Sequence, residues 1–232
     1  MKSISISCVD ALNHTPSAMA LKKTADVLEG VVDIECVYWF SDAPFPISDC
    51  PLNIRWHKIP RMEYFHSNYN YVALKMIPEV VETEFNLIIQ SDGFAVNREA
   101  WTDEFFEYDY IGAVWPFYEE YNVGNGGFSL RSKKFYDAVK SEIKVHDAVY
   151  DSASGFLPPF EDYGNVIIPE DNLLCRQYRK HFETKFGIKY APPELADRFS
   201  IELNVSSPWL GKSLGFHGKH GIAKHYGVDL KC

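Results

Sequence analysis

Residues 85–94, FNLIIQSDGF, constrain the fold of this chain more than any other stretch. Leu87, Ile88 and Ile89 are contiguous, and an apolar run without alternation is typical of a strand covered on both faces. Ligands of open α/β sheets bind beyond the carboxyl ends of the strands, so Asp92 lies where chemistry is expected. Gly93 allows a backbone or a ligand to come close. The alternative is a solvated turn after a core strand.

The order of patterns along the chain predicts an α/β fold. Residues 4–10 form a short strand pattern that ends in an acid, residues 16–29 have a helical apolar face, and residues 33–40 and 53–59 have strand patterns. Strands and helices at this pace imply a parallel sheet with right-handed crossovers. The 232 residues fit one large α/β domain or two small ones, and without a long linker we expect a single domain over residues 1–232.

Later elements are predicted from periodicity and from capping residues. Ser132 is a candidate N-cap because its hydroxyl can accept a hydrogen bond from the first turn of the helix that follows. Pro78 is expected to begin a second helix rather than to kink one. The predicted helices cover residues 72–84, 99–106, 133–143 and 172–182, and the predicted strand covers residues 108–115.

Charge and cysteine usage exclude several classes of protein. The net charge of −9 argues against a broad basic surface for nucleic acid. The five cysteines are odd in number and widely spaced, which suits reduced thiols in a cytosolic protein. The N-terminus is too polar for a signal sequence, and no run reaches the roughly 18 apolar residues of a spanning helix. We therefore expect a soluble cytoplasmic protein without a transmembrane segment, and peripheral membrane binding stays open.

Three glycines lie within four positions at Gly124, Gly126 and Gly127, with Asn125 between them. Glycine costs about 0.5–1 kcal/mol relative to alanine in a helix or strand, so such a cluster indicates unusual dihedral angles or close approach. The segment matches neither the GxxxxGK[ST] phosphate loop nor GxGxxG. The glycine cluster is therefore expected to allow the close approach of a group other than a phosphate held in one of these two motifs.

Two further groups of residues complete a candidate site. Glu170 and Asp171 open a predicted helix, where acids also serve simply to complement the helix dipole. His217 lies in a glycine-spaced cluster with Lys219 and His220, which a solvated tail would explain equally. A carboxylate such as Asp92 and a histidine can together hold Mg²⁺ or Mn²⁺, which would neutralise a diphosphate leaving group. Glu170 or Asp171 could deprotonate an acceptor hydroxyl.

The sequence resembles the DUF5672 family, whose members are similar to GT-A glycosyltransferases. The resemblance implies a Rossmann-like nucleotide-sugar fold with a mixed, mostly parallel central sheet flanked by helices. It covers roughly residues 85–220. The segments that carry it are residues 90–94 (QSDGF), 108–113 (YDYIGA), 123–132 (VGNGGFSLRS), 169–171 (PED) and 215–218 (GFHG).

The resemblance implies a role for each candidate residue. Asp92 falls where GT-A enzymes keep a metal-binding DxD motif, although the triplet Asp92-Gly93-Phe94 lacks the second acid. His217 would complete the metal site, and Asp171, rather than Glu170, would be the catalytic base. The residues implied to bind the donor are Val9 and Asp10 on the nucleotide base, together with Asp92, Gly93, Asn125, Gly126, Gly127 and Lys219.

The predicted function is transfer of a sugar from a UDP- or GDP-linked donor to a hydroxyl acceptor, assisted by Mn²⁺ or Mg²⁺. A glycan or a small molecule is the favoured acceptor, and DNA is a possible one. One alternative is a phage-type DNA glycosyltransferase acting on hydroxymethylated pyrimidines, with a local basic patch. Another is a non-catalytic nucleotide-sugar or glycan-binding module, which the incomplete DxD supports. The candidate patch comprises Lys133, Lys134, Arg176, Arg179 and Lys180.

Overall fold

A six-stranded sheet forms the centre of the structure, a computed structural model that describes residues 2–61, 69–143, 168–218 and 220–230. The strands are β1 (Ser3–Val9), β2 (Asp33–Ser41), β3 (Ile54–Lys58), β4 (Phe85–Ile89), β5 (Gly93–Ala95), β6 (Tyr110–Ile111), β7 (Ala113–Val114), β8 (Val123–Gly124), β9 (Ser129–Ser132), β10 (Ser200–Ile201) and β11 (Gly215–His217). In the central sheet they are ordered β3-β2-β1-β4-β9-β6.

The central sheet is mixed and mostly parallel, as predicted. Strand β1 pairs in parallel with β2 and β4, and β2 pairs in parallel with β3. Strand β9 is antiparallel to both β4 and β6. The first four strands therefore direct their carboxyl ends to one edge of the sheet, where ligands of such folds bind.

Both faces of the central strands are buried, which confirms the interpretation of the contiguous apolar run. Leu87 and Ile89 pack in one cluster with Leu21, whereas Ile88 packs in another cluster with Val72. All three β4 side chains are 0% exposed. Truncating such a leucine or isoleucine to alanine typically costs about 2–5 kcal/mol, so this strand is a firm support for the residues that follow it.

The helices flank the central sheet. They are α1 (His14–Leu28), α2 (Ile77–Val80), α3 (Lys133–Glu142), α4 (Glu170–Asn172), α5 (Arg179–Phe186), α6 (Pro193–Phe199) and α7 (His220–Ala223). Ser132 caps α3 as predicted, because its Oγ accepts a hydrogen bond from the Phe135 amide at 3.0 Å. No helix in the described ranges is long and apolar enough to cross a membrane.

Two predicted helices are divided in the structure. Residues 72–84 form a π-helical turn (Val72–Met76) followed by α2, which has Pro78 in its first turn and ends at Val80. Residues 99–106 form two 3₁₀ turns instead of one helix. The Asn97 and Thr102 side chains each accept a hydrogen bond from an amide two residues ahead, so each starts a new turn.

The predicted helix over residues 172–182 begins earlier and is also divided. It starts at Glu170, passes through a π-helical turn at Leu173–Gln177 and resumes as α5. Gly187 ends it in a left-handed conformation with φ 62°. Periodicity alone does not reveal a π turn, because one extra residue shifts the apolar face without removing it.

The predicted strand over residues 108–115 is two strands in two sheets. Strand β6 joins the central sheet, whereas β7 pairs with β8 in a two-stranded sheet. Gly112 lies between them, and a Cβ at this position would come 1.8 Å from the carbonyl oxygen of Gly124. The change of sheet therefore depends on a close backbone approach that glycine alone allows.

Candidate active site

Asp92 lies in a tight turn at the carboxyl end of β4. The Gln90 amide donates to the Gly93 carbonyl at 2.8 Å, and the Gly93 amide donates to the Gln90 carbonyl at 3.1 Å. These bonds close a two-residue turn at Ser91 and Asp92 and direct the chain into β5. The buried strand thus delivers Gln90 and Asp92 to the edge of the sheet.

A three-stranded sheet, ordered β10-β11-β5, brings His217 to this turn. Strand β11 is antiparallel to β5, with His217 opposite Gly93, and the Gly218 amide donates to the Asp92 carbonyl at 2.9 Å. The Nε2 atom of His217 lies 3.8 Å from Oδ1 of Asp92 and 3.2 Å from Oε1 of Gln90. One ring nitrogen therefore faces two oxygen atoms from the β4 turn.

Glu202 and Asn125 lie at the other ring nitrogen of His217. Oε1 of Glu202 is 3.1 Å from Nδ1, and Nδ2 of Asn125 is 2.8 Å from it. Asn125 is held by its own Oδ1, which accepts hydrogen bonds from the Gly127 and Phe128 amides. Its amide group therefore faces the imidazole. Together the two side chains fix the ring so that Nε2 points at Asp92.

The charges around His217 favour its protonated form. Burial lowers the pKa of His217, but the hydrogen bond with Glu202 and the negative charges of Asp92, Glu202 and Asp171 outweigh burial and raise the pKa above its ordinary value. The side chains of His217 and Asp92 are 18% and 30% exposed. The site has a strongly negative field and an open side, which is the environment that a bound cation requires.

The glycine cluster makes room for side chains of the protein itself. A Cβ on Gly127 would lie 2.1 Å from Nε2 of His217, and a Cβ on Gly126 would lie 2.0 Å from Oε1 of Glu170. A Cβ on Gly124 would meet the Trp115 ring at 2.1 Å. The segment therefore lies directly between the histidine and the two acids of α4, and the sequence alone did not predict this.

Asp171 lies across the glycine segment from His217. Its Oδ2 accepts a hydrogen bond from the Gly126 amide at 3.1 Å, and its Oδ1 accepts one from the Asn172 amide at 2.7 Å. Burial raises the pKa of Asp171, and these two amides oppose the rise. A carboxylate with a raised pKa is a better proton acceptor than an ordinary one, which is what a general base requires.

Glu170 forms a buried ion pair with Arg131. Oε1 of Glu170 lies 2.9 Å from Nη2 of Arg131, and the two side chains are 2% and 0% exposed. Burial raises the pKa of Glu170, and the charge of Arg131 opposes the rise. The Glu170 amide donates to Oδ1 of Asn70 at 3.0 Å, which anchors the start of α4. Both acids thus contact Gly126, Glu170 from the buried side and Asp171 through the Gly126 amide.

Val9 and Asp10 end the first strand, at the same edge of the sheet. Val9 is buried in the core beside Tyr38. The carboxylate of Asp10 accepts hydrogen bonds from the Leu12 and Asn13 amides at 2.7 Å each, and a further one from the Ser17 hydroxyl. These contacts shape the entry to α1. A role for either residue toward a nucleotide base stays a prediction.

Some predicted site residues are brought together and one lies outside the described residues. Asp92, Gly93, Asn125, Gly126, Gly127, Glu170, Asp171 and His217 form one cluster, whereas Lys219 falls in the gap between the described ranges. Gln90, Glu202 and Arg131 also lie in this cluster and were not predicted as site residues. Gln90 had a usable signal, since it lies two residues before Asp92 at the end of a buried strand. Glu202 had none, because only the pairing of β10 with β11 places it.

The candidate basic patch is occupied by internal contacts. Lys133 pairs with Asp137, and Lys134 pairs with Asp109. Arg176 donates to the carbonyls of residues 120 and 121, and Arg179 pairs with residue 183. Four of the five patch residues therefore contact other parts of the protein, and the fifth is Lys180.

No group of three or more His, Cys, Asp or Glu side chains in the described ranges has metal-binding geometry. Three possible ligand atoms lie close together at one place: Nε2 of His217, Oδ1 of Asp92 and the amide oxygen Oε1 of Gln90. Such a partial set is compatible with Mg²⁺ or Mn²⁺, which commonly take remaining ligands from substrate phosphates and water.

The fold is that of the GT-A glycosyltransferases. A glycosyltransferase involved in the glycosylation of the major capsid of PBCV-1 is 12% identical, with a TM-score of 0.51, over 97% of this chain and 98% of that one. An active-site mutant of LgtC is 10% identical, with a TM-score of 0.52, over 97% and 94%. Glycosyltransferase GlyE of Streptococcus pneumoniae TIGR4 is 10% identical, with a TM-score of 0.55, over 99% and 61%. At these identities the likeness establishes the fold.

The family model described as a protein of unknown function (DUF5672) matches residues 53–217. This match covers more than half of the chain, so the chain belongs to the DUF5672 family. The matched range includes the β4 turn, the glycine segment, the start of α4 and His217. No curated protein matches the chain.

Proposed function

We propose that this protein is a glycosyltransferase that moves a sugar from a nucleoside-diphosphate donor to a hydroxyl acceptor. The observation that carries the proposal is the placement of Asp92 and His217 on one side of Gly126–Gly127 and of Asp171 on the other. This arrangement sits at the carboxyl edge of a GT-A sheet. It provides one half that can bind a diphosphate through a cation and one half that can accept a proton.

The residues around His217 fit a divalent cation. Nε2 of His217, Oδ1 of Asp92 and Oε1 of Gln90 converge, and Glu202 lies at the opposite ring nitrogen. A carboxylate on the far nitrogen is a common means of orienting a metal-binding histidine. The Gln90 amide oxygen also offers a neutral ligand beside the incomplete DxD. Bound Mn²⁺ or Mg²⁺ would neutralise the charge that develops on the leaving diphosphate.

Asp171 is the proposed catalytic base. It would accept the proton of the acceptor hydroxyl while that oxygen bonds to the sugar carbon and the diphosphate leaves. The Gly126 amide keeps one carboxylate oxygen beside the glycine segment, so the base has a fixed position relative to the donor. A positioned general base contributes about 10²–10⁴-fold to a reaction rate.

The remaining predicted residues complete the proposal. Val9 and Asp10 would border the nucleotide base, Lys219 would contact the diphosphate, and the glycine segment would border the donor sugar. Residues 1–232 would form one glycosyltransferase domain.

The donor would be UDP- or GDP-linked, and the acceptor would be a glycan or a small molecule. The net charge of −9 disfavours DNA as the acceptor. Free thiols at Cys8, Cys36, Cys50 and Cys175 support a cytoplasmic location.

A turnover assay tests the proposal and separates it from a non-catalytic binding module. The purified protein is incubated with UDP-glucose, UDP-galactose, UDP-N-acetylglucosamine and GDP-mannose, with Mn²⁺ or with EDTA, and release of the nucleoside diphosphate is measured. Many transferases hydrolyse their donor slowly, so no acceptor is needed at first. We expect release from one donor that requires Mn²⁺ and is lost in Asp171→Asn. Donor binding without release, with or without a panel of sugar acceptors, would support the binding module instead.

A further inference from the structure

The buried pair formed by Arg131 and Glu170 is not explained by either half of the proposed site. Neither side chain faces the open side, since they are 0% and 2% exposed. Among the described residues, Nη1 of Arg131 and Oε2 of Glu170 also have no hydrogen-bond partner. A buried ion pair repays its desolvation only when its remaining atoms are well bonded, so stability alone is a poor reason for this pair.

The pair closes a ring of contacts around Gly126. Nη2 of Arg131 donates to Oε1 of Glu170 at 2.9 Å and lies 3.4 Å from the Gly126 carbonyl oxygen. The Gly126 amide donates to Asp171, which is the residue directly after Glu170. Each end of the Gly126 residue is therefore tied to α4, once through Asp171 and once through Arg131 and Glu170.

The same ring extends to the histidine half of the site. Nε of Arg131 donates to the Ser129 hydroxyl at 3.0 Å, and that hydroxyl donates to the Gly126 carbonyl at 3.2 Å. Asn125, the neighbour of Gly126, contacts His217 through its amide. A shift of the Arg131 side chain would therefore move Gly126, and with it both Asp171 and the residue that orients His217.

We propose that Arg131 and Glu170 are positioning residues that set the distance between Asp171 and His217, and that Glu170 takes no part in proton transfer. The inference rests on the proposed function only for its kinetic consequence. Glycine is required at position 126 because Oε1 of Glu170 occupies the place of a Cβ, at 2.0 Å. Glu170, Arg131 and Gly126 thus form one connected group that positions Asp171 and does not itself react.

The test compares three variants with a matched control. Glu170→Gln keeps the shape of the side chain and removes its charge. Arg131→Lys keeps the charge and removes the planar group. The double variant Arg131→Met/Glu170→Leu removes both charges, so it leaves no unpaired buried ion and is expected to fold even where a single variant does not. Glu82→Gln is the control, because it breaks the exposed Arg55–Glu82 pair.

The kinetic readout is release of nucleoside diphosphate from the sugar nucleotide that the wild type turns over. We expect kcat to fall about 10–100-fold in the three variants, since misplacement by about 1 Å costs up to about 10²-fold. The KM for the donor should rise by a smaller factor, because Glu202 still holds the His217 ring when Asn125 shifts. Glu82→Gln should match the wild type. The acid limb of the kcat–pH profile should persist in Glu170→Gln, because Asp171 remains. Loss of that limb, or a double variant with wild-type kcat, would overturn the inference.

A second readout does not depend on turnover. Hydrogen exchange of the Gly126 amide, followed by NMR, should be at least about tenfold faster in the double variant, while a β4 amide such as that of Leu87 is unchanged. If the wild type turns over no donor, the proposed function fails, and the exchange rates still decide whether the pair holds Gly126. Equal exchange in the variant and the wild type would show that it does not.

Discussion

The two halves of the candidate site are built in different ways. The Asp171 half is rigidly supported, because Asp171 follows Glu170 of the buried pair with Arg131 and the Gly126 amide holds one of its carboxylate oxygens. The His217 half is open, with Asp92 30% exposed and Nε2 facing two oxygen atoms at 3.2 and 3.8 Å. A rigid half suits a residue that must meet a reacting hydroxyl in one geometry. An open half suits a site that exchanges a donor at each turnover.

The glycine segment, residues 124–127, lies between the two halves. Two adjacent glycines of this segment face different halves. Gly126 lies against Glu170, and Gly127 lies against His217. Changes on one side should therefore alter catalysis, and changes on the other should alter donor binding.

Asp171→Asn should abolish turnover while leaving donor binding nearly intact. A base is needed only in the chemical step, so kcat should fall about 10²–10⁴-fold with a donor dissociation constant within about threefold of wild type. Turnover and calorimetric titration measure the two quantities. Asp137→Asn, at an exposed pair with Lys133, is the matched control. An equal loss of binding would remove Asp171 from the role of base.

Glu202→Gln should weaken Mn²⁺ binding without changing the fold. The amide cannot hold the imidazole as a carboxylate does, and the loss of such a partner typically costs 10–100-fold in metal affinity. Electron paramagnetic resonance of free Mn²⁺ during a titration gives the affinity directly. Unchanged affinity would mean that Glu202 does not orient a metal-binding histidine.

Gly127→Ala and Gly126→Ala should have opposite kinetic signatures. Both additions overpack the site and should each cost about 1–3 kcal/mol in the free energy of unfolding. Gly127→Ala should raise the donor KM several-fold because it displaces His217, whereas Gly126→Ala should lower kcat because it displaces Glu170. The contrast between halves fails if the two variants share one signature.

The halves should also titrate separately. Metal ligation needs neutral His217, whose pKa is raised, so Mn²⁺-dependent donor affinity should fall as the pH drops through a value above about 6.5. The kcat at saturating donor needs ionised Asp171, whose pKa burial raises, so kcat should fall as the pH drops through a value above the ordinary range of an aspartate. Affinity and kcat measured from pH 4.5 to 8.5 would check both; one common limb would contradict separate titration.

The strand and the helix cap that support the site could be predicted from the sequence, whereas the contacts between its side chains could not. The contiguous run in β4 revealed a strand buried on both faces, and the carboxylate after it was placed at the correct edge. Ser132 was recognised as a cap because the rule is local. The glycine cluster was recognised as a place of close approach, but its occupants were not, because Glu170 and His217 reach it only after folding.

The missed residues all depend on contacts between distant parts of the chain. Gln90 meets His217 across 127 residues, and Arg131 meets Glu170 across 39 residues. Glu202 reaches the imidazole because β10 pairs with β11. No local sequence pattern indicates that these two short strands pair. The π turn after Asp171 was missed for a different reason, since its apolar positions resemble those of an ordinary helix.

The most direct test of the account is the thermal stability of the protein against UDP- and GDP-linked sugars, each with and without Mn²⁺. A ligand at a hundredfold its dissociation constant adds about 2.7 kcal/mol when it binds the native state alone. We predict a stabilising shift with one donor that requires Mn²⁺ and is lost in His217→Ala. No shift with any donor, or the same shift in His217→Ala, would contradict a nucleotide-sugar site at Asp92 and His217.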